Sequence, residues 1–486
     1  MTDIQTGAAA KGATKRKKLR RAPGPGAAST LRGARFFWKD PVKMLLDSRR
    51  RYGDVTRFQV GRKFVLHLIS HPDHIEHVLL TNNRNYRKHS PNALLKQEIG
   101  HGLLLNEGDS WFSQRRLMQP SFHPRQFSRL VDCVSHVADI LLGEWRERRD
   151  GERLDIENQM LHLSQMLIGQ TMLSRDIGPE MRGVLDTSGG KLGLLVGNIK
   201  GTPKYRRFQQ GVRNFDATVY GEIKRRRADM DNAPLDMLTM LLGARDKDTG
   251  EAMSDKQLRD EIVTLIIAGF DTTARTLTWT WLSLAQNPDV EARLHGEIET
   301  VLGDREPEYE DVAKLVYTGQ ILQESMRLFP PNAIIGREAI KSDEIGGYHI
   351  PAGSLLTLSS YLTHRHEPSW PDAERFDPER FAPGAGSERH RFAYFPFGGG
   401  PRQCIGKGMA LMNSTLLLAI MARKYRARAI PDHVVKHDIA VTLHPQGGLP
   451  MTLHKRAEKP IRNQKSQTFN QPAGEAQKEL ATSRAA

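Results

Sequence analysis

Cysteine is nearly absent: two residues, Cys133 and Cys404, in a chain of 486. That excludes a disulfide framework and a cysteine-rich zinc pattern. Long apolar runs are missing as well. None reaches the roughly 18 residues needed to cross a bilayer. The first residues, "MTDIQTGAAAKGATKRKKLRR", are polar and basic and lack the apolar centre of a secretory signal. The expectation is therefore a soluble cytoplasmic protein without a transmembrane segment.

Acidic charge is in deficit, and the net charge is +15. Residues 1–21 carry seven Lys/Arg and one Asp, and residues 455–486 carry seven Lys/Arg and three Asp/Glu, so the tails hold +6 and +4 and the stretch 22–454 only +5. A nucleic-acid-binding protein would spread its basic groups over a folded face, so no nucleic acid is expected as partner. Three segments follow: a disordered basic tail over 1–21, one large domain over 22–454, and a disordered polar tail over 455–486.

No repeat and no linker interrupts residues 22–454. "DVTRFQV" and "KFVLHLI" read as a hairpin turning at Gly61-Arg62. From about Pro72 to Pro288 the pattern is mostly helical. Extended pieces return over 330–351 and 438–454, with one more helix over about 406–423. The fold class is mainly α with small β-sheets at one side (α+β). Cys133, in "LVDCVSHVADILLGEW", reads as a small buried core residue.

The longest helix starts at the capping-box pattern "SDKQ", residues 254–257. It can run to Asn287, before Pro288, and would span roughly 50 Å. Its middle, "LIIAGFDTTA", places Gly269, Asp271, Thr272 and Thr273 in an apolar stretch where they are poor helix formers. Thr272 can bond back to the carbonyl of Ala268 and open the helix locally. The segment is either a packing glycine with satisfied hydroxyls or a polar notch facing a buried cavity.

Cys404 sits in "FGGGPRQCIG", residues 397–406. A thiolate can ligate a metal, attack carbon or do redox chemistry. Nucleophilic catalysis needs a nearby base, and no such motif accompanies this cysteine. Gly398, Gly399 and Gly400 let backbone approach something flat and bulky. An axial thiolate on a heme iron requires just one cysteine in a stiff loop. Elsewhere, Glu324 and Arg327 of "ESMR" share a helix face, and so do Trp111 and Arg115 of "WFSQRR".

In this order "AGFDTT" (268–273), "ESMR" (324–327), "PERF" (378–381) and "FGGGPRQCIG" resemble the cytochrome P-450 family of heme-thiolate monooxygenases, in particular its soluble, bacterial-type, single-domain members. The resemblance covers about residues 22–454. It implies heme b (iron protoporphyrin IX) buried between the long central helix and the cysteine-loop helix, with Cys404 as metal ligand. Ala268, Phe397, Gly398 and Gly406 would line the cofactor, and Trp111, Arg115, Arg337 and Arg402 would meet its propionates. Asp271 and Thr272 would deliver protons. Glu324, Arg327 and Arg380 would form a buried network supporting the loop.

The implied reaction inserts one atom of O2 into a C–H or C=C bond of a lipophilic terpene, fatty acid or polyketide. Leu103, Leu104, Leu105, Ile334 and Ile335 are expected in its pocket, with walls near 190–210 and at "GGLPM". Electrons would come from NAD(P)H through a separate ferredoxin with its reductase or a flavodoxin-type donor, docking near Arg116 and Lys407. A monomer is expected. A heme-thiolate isomerase or peroxygenase, and a non-enzymatic heme sensor, stay open as other classes.

Overall fold

The computed structural model describes residues 20–26, 30, 39–60, 64–89, 99–178, 180–181 and 202–456. Most of both tails, the Gly61-Arg62 turn and, of the pocket wall expected near 190–210, residues 190–201 lie outside the described residues.

Helices dominate, as expected, and the central one runs Asp255–Gln286. Ser254 caps its start by accepting from the Gln257 N–H at 3.2 Å, and Asn287 ends it, with Pro288 opening the next helix. Its β-branched residues are tolerated because their hydroxyls bond back one turn: Thr272 to the Ala268 carbonyl at 2.9 Å, Thr276 to Thr272 at 2.9 Å, Thr278 to Ala274 at 2.8 Å and Thr280 to Thr276 at 2.7 Å. The back-bond of Thr272 is thus one of a series and does not mark a notch. Exposure marks it. Ile262, Ile266 and Leu277 are fully buried, yet Ala268 between them is exposed. Around this helix pack Ile156–Leu173, Val316–Leu328 and the cysteine-loop helix Lys407–Lys424. The apolar core is continuous through all of them.

The main sheet has five strands in the order Val55–Val60, Phe64–Ile69, Leu355–Leu358, Ile335–Ala339, Tyr86–Lys88. Its first pair is the expected hairpin, antiparallel with Val55 opposite Ile69. A second sheet joins Glu152–Asp155, Pro450–Lys455 and Tyr425–Ala429. A small hairpin pairs His437–Ile439 with Leu443–Pro445 and lays its tip on the central helix.

Three expectations change. Cys133 is half-buried rather than in the core, because its helix turns that side toward the surface. At the N-terminal boundary, Arg20 already bridges to Tyr348 and its carbonyl accepts the His349 N–H at 2.8 Å. At the other end, Lys455 completes a strand and the Arg456 N–H donates to the Lys424 carbonyl at 2.9 Å.

One loop is held against the central helix through two buried carboxylates. Asp260 accepts the His101 N–H at 2.9 Å and Glu261 the Leu103 N–H at 2.8 Å. Glu261 is fully buried, its other oxygen has no partner among the described residues, and burial pushes its pKa up to about 7. A carboxyl raised in the folded state favours folding below its ordinary value near 4.5, and this advantage is lost as pH rises through about 7. Glu261→Gln is therefore expected to leave stability at pH 5 nearly unchanged and to raise it at pH 8 by up to about 3 kcal/mol. Denaturant melts at the two pH values check this. An equal effect at both would show that Glu261 does not titrate there. Glu157, also raised to about 7, leaves a residual slope in the variant.

Candidate heme-thiolate site

The cysteine loop is a set of tight turns. The Gly398 N–H donates to the Phe395 carbonyl at 2.9 Å, that of Gln403 to Gly400 at 3.1 Å and that of Cys404 to Phe397 at 2.9 Å. Gly398 and Gly400 adopt φ of +69° and +64°. At Gly400 a Cβ would lie 1.8 Å from the Leu79 carbonyl oxygen, so only glycine fits. Gly406 ends the loop and caps the helix behind it.

Cys404 is densely surrounded by protein, and its thiol is nonetheless accessible. Burial raises its pKa; the Gly406 N–H, Arg115, Lys88 and Lys407 pull the other way. Positive groups converge beside it. Arg115 donates to the Gln403 carbonyl at 2.9 Å. Arg402 donates to the Asn106 carbonyl at 2.9 Å, pairs with Glu107 at 2.6 Å and lies 3.9 Å over the buried Trp111 ring. Arg337 is buried, makes no ion pair among the described residues and donates to its neighbour's carbonyl, Gly336, at 2.8 Å. Burial and Arg402 depress its pKa to about 10. Lys88 donates to the Leu104 carbonyl at 2.7 Å and is pushed down to about 8 by burial, Arg337 and Arg402. Lys88, Arg337 and Arg402 thus crowd together with Glu107 as the one carboxylate acting on them among the described residues, and Arg115 stands beside the sulfur. Such a cluster is repulsive until anions enter. It would fit a flat ligand carrying two carboxylates, which Cys404 would hold through its sulfur.

Arg327 and Glu324 lie beneath, both fully buried. Arg327 donates to Glu324 at 2.7 and 2.8 Å, and to the carbonyls of His364, Ala373 and Arg375 at 3.0, 2.7 and 3.1 Å. All the N–H donors of the guanidinium are used. Glu324 also accepts the Asp377 N–H at 2.8 Å. Arg380 joins as expected, 3.5 Å from Glu324, but its firmer bond is to the Asp372 carbonyl at 3.0 Å. The network reaches the cysteine loop through His364, which accepts the Phe395 N–H at 2.9 Å on Nε2; burial and Arg327 push this histidine down to about 3, keeping it neutral.

Asp271 and Thr272 sit at the opening in the central helix. Asp271 accepts from Arg275 at 2.9 Å and from the Thr442 hydroxyl at 2.5 Å. Arg275 is shared with Glu157 at the start of the Ile156–Leu173 helix.

Sequence reading did not find Lys88, Glu107, Thr442, Arg275 or Glu157. No local pattern singles them out. Arg116, expected near a donor's docking site, is half exposed and pairs with Asp246 at 2.8 Å and Asp248 at 2.5 Å. Lys407 is exposed as expected.

Fold and site define a protein built to hold heme through a cysteine sulfur. The cytochrome P450 family profile matches residues 23–449, and the chain belongs to that family. It is similar to cyclooctatin synthase of Streptomyces melanosporofaciens, 32% identical over 85% of this chain and 91% of that protein. Pentalenene oxygenase of Streptomyces avermitilis is 30% identical over 87% of this chain and 95% of that protein. The crystal structure of the cytochrome P450DA heme domain superposes with a TM-score of 0.82, at 24% identity, over 90% of this chain and 98% of that one. Membership makes this protein an oxidoreductase that incorporates oxygen, with heme, iron and O2 as its chemistry. No helix among the described residues is long and apolar enough to cross a membrane.

Proposed function

We propose that this enzyme inserts one atom of O2 into a C–H or C=C bond of a terpene-class hydrocarbon, with electrons from NAD(P)H delivered by a separate ferredoxin or flavodoxin-type protein. The observation that carries this reading is the pairing of an exposed Cys404, beside cations that outnumber the one carboxylate acting on them among the described residues, with the exposed Ala268 and half-buried Asp271 and Thr272 in the middle of a mostly buried helix. Relatives named for oxidising pentalenene and cyclooctat-9-en-7-ol favour a terpene over a fatty acid or polyketide.

Each residue then has a physical task. Lys88, Arg115, Arg337 and Arg402 would bind the two carboxylates of heme, which would relieve the repulsion among Lys88, Arg337 and Arg402. Cys404 supplies the sulfur ligand. Bound heme contributes reduction of O2 and oxygen insertion, chemistry that belongs to the cofactor. Thr272 donates to Ala268, so its oxygen remains free to accept from a water. Asp271, reached by solvent at 23% of its side-chain surface, hands protons inward. Leu103, Leu104, Leu105, Ile334 and Ile335 supply apolar surface that holds the substrate and excludes water. An acidic electron donor suits the surface groove of about 1060 Å³ lined by Arg115, Arg125 and Lys247, where Phe112 stands exposed.

The test is a set of cyclic terpenes, fatty acids and macrolactones titrated into the heme-loaded protein. A terpene is expected to shift the heme spin state, and 18O2 to label its product. With that substrate, Thr272→Ala is expected to keep heme and substrate binding and to lose roughly three-quarters or more of its reducing equivalents to hydrogen peroxide, a change in partition of about 2 kcal/mol from a well-coupled enzyme. Full coupling in Thr272→Ala would remove it from proton delivery. Spin shifts with fatty acids alone would overturn the substrate class.

A further inference from the structure

The hairpin His437–Pro445 ends in the tip 440–442, whose Val441 is exposed while Thr442 is buried. Its second strand is pinned independently of Thr442. The Leu443 N–H donates to the Pro331 carbonyl at 2.9 Å, and the Trp279 indole donates to the Leu443 carbonyl at 3.1 Å. With the backbone held, the Thr442 hydroxyl is delivered to one fixed point, Oδ2 of Asp271 at 2.5 Å.

The other oxygen of that carboxylate, Oδ1, takes Nε and Nη2 of Arg275, each at 2.9 Å. This second hold is divided, because Nη1 of the same guanidinium pairs with Glu157. Asp155, which caps the helix bearing Glu157 and accepts the Leu449 N–H at 2.9 Å, adds another negative charge beside the pair. Other titratable groups on the hairpin are His444, whose ring meets the Thr442 carbonyl at 3.1 Å, and Asp438 and His437 on the opposite strand. Arg275 therefore answers to two carboxylates, whereas the Thr442 hydroxyl donates to Asp271 alone among the described residues. An aspartate on a helix can otherwise swing between rotamers, toward the hairpin or along the helix toward its neighbours.

We propose that Thr442 is a positioning residue for proton delivery: by holding one oxygen of Asp271 it sets the direction the acid faces, and so ties the hairpin tip to the proton path of the central helix. This rests on the reading of Asp271 as the proton-delivering acid. A hydroxyl is suited to the task. It orients a carboxylate without neutralising it, and it lets go at the cost of one hydrogen bond, where a second arginine would lock the acid.

The experiment uses the heme-loaded full chain with Thr442→Val, Thr442→Ser, Asp271→Asn and the Val/Asn double variant. Two readings are taken. One is the infrared carboxylate stretch of Asp271 in the resting protein, assigned by its loss in Asp271→Asn. The other is product formed per NAD(P)H, with its solvent isotope effect. Thr442→Val is expected to move the Asp271 band and lower coupling by roughly threefold or more, the size of one lost hydrogen bond. Thr442→Ser is expected to restore both, and the double variant to match Asp271→Asn. If the valine variant fails to fold, Thr442→Ala carries the same expectations.

An unmoved band, or a coupling loss that serine does not restore, would overturn the proposal. Coupling lost in Asp271→Asn but kept in Thr442→Val would overturn it while leaving Asp271 as the acid. Full coupling in Asp271→Asn would bring down both.

Discussion

Cys404→Ser is expected to remove the thiolate-type spectrum of the reduced carbon monoxide adduct and to cut turnover by roughly three orders of magnitude or more, about 4 kcal/mol of barrier. The reason is in the surroundings of the sulfur. The Gly406 N–H, Arg115, Lys88 and Lys407 all favour a negative charge at this atom and oppose the cost of its burial. Burial still holds the thiol above its ordinary value, so ionisation would be completed by the bound iron; a thiol is acidic enough for that and a serine hydroxyl is not, so serine would offer the iron a neutral, weaker donor. Cys133→Ser is the control. That residue is half-buried on the helix Val131–Arg146, and burial and Asp132 raise its pKa. It is expected to leave spectrum and turnover unchanged. A serine variant at 404 that kept the thiolate spectrum would overturn the assignment of the ligand.

Arg327→Ala is expected to destabilise the protein by about 3–5 kcal/mol, because it strands the buried Glu324 carboxylate and three carbonyls. Heme content should fall with stability. The path runs from the Arg327 guanidinium to the His364 carbonyl, from the His364 ring to the Phe395 N–H, and from the Phe395 carbonyl to the Gly398 N–H of the cysteine loop. Arg327→Lys separates charge from geometry. Lysine keeps the charge opposite Glu324 but cannot reach five acceptors in a planar fork. It is expected to recover part of the stability and little of the heme occupancy. Chemical denaturation and the heme-to-protein ratio read the two effects. A lysine variant with full heme would show that charge alone supports the loop.

The motifs that were legible are short. Cys404 with its three glycines lies within ten residues, and Glu324 and Arg327 are three apart. Their chemistry is written in local spacing, because a turn or one helical step brings the groups together whatever the rest of the chain does. The same holds for Ser254 capping the central helix. Four short strands were missed, Tyr86–Lys88, Glu152–Asp155, Leu355–Leu358 and Tyr425–Ala429, because they owe their form to distant partners. Tyr86 pairs with Ala339, and Leu154 with Met451.

Local order therefore settled the cysteine loop, the buried ion pair, the long helix and the helical class of the fold. Packing decided the charge of the site. Lys88 and Glu107 reach Arg402 from far along the chain, and Arg116, which looked free, is neutralised by Asp246 and Asp248 from another loop. Thr442 meets Asp271 across 171 positions. The physical reason is range. Backbone preferences and turns act over a few residues, and a sequence displays them directly. Burial and Coulomb interactions depend on distance in space, which exists only once the helices and sheets have closed around the site.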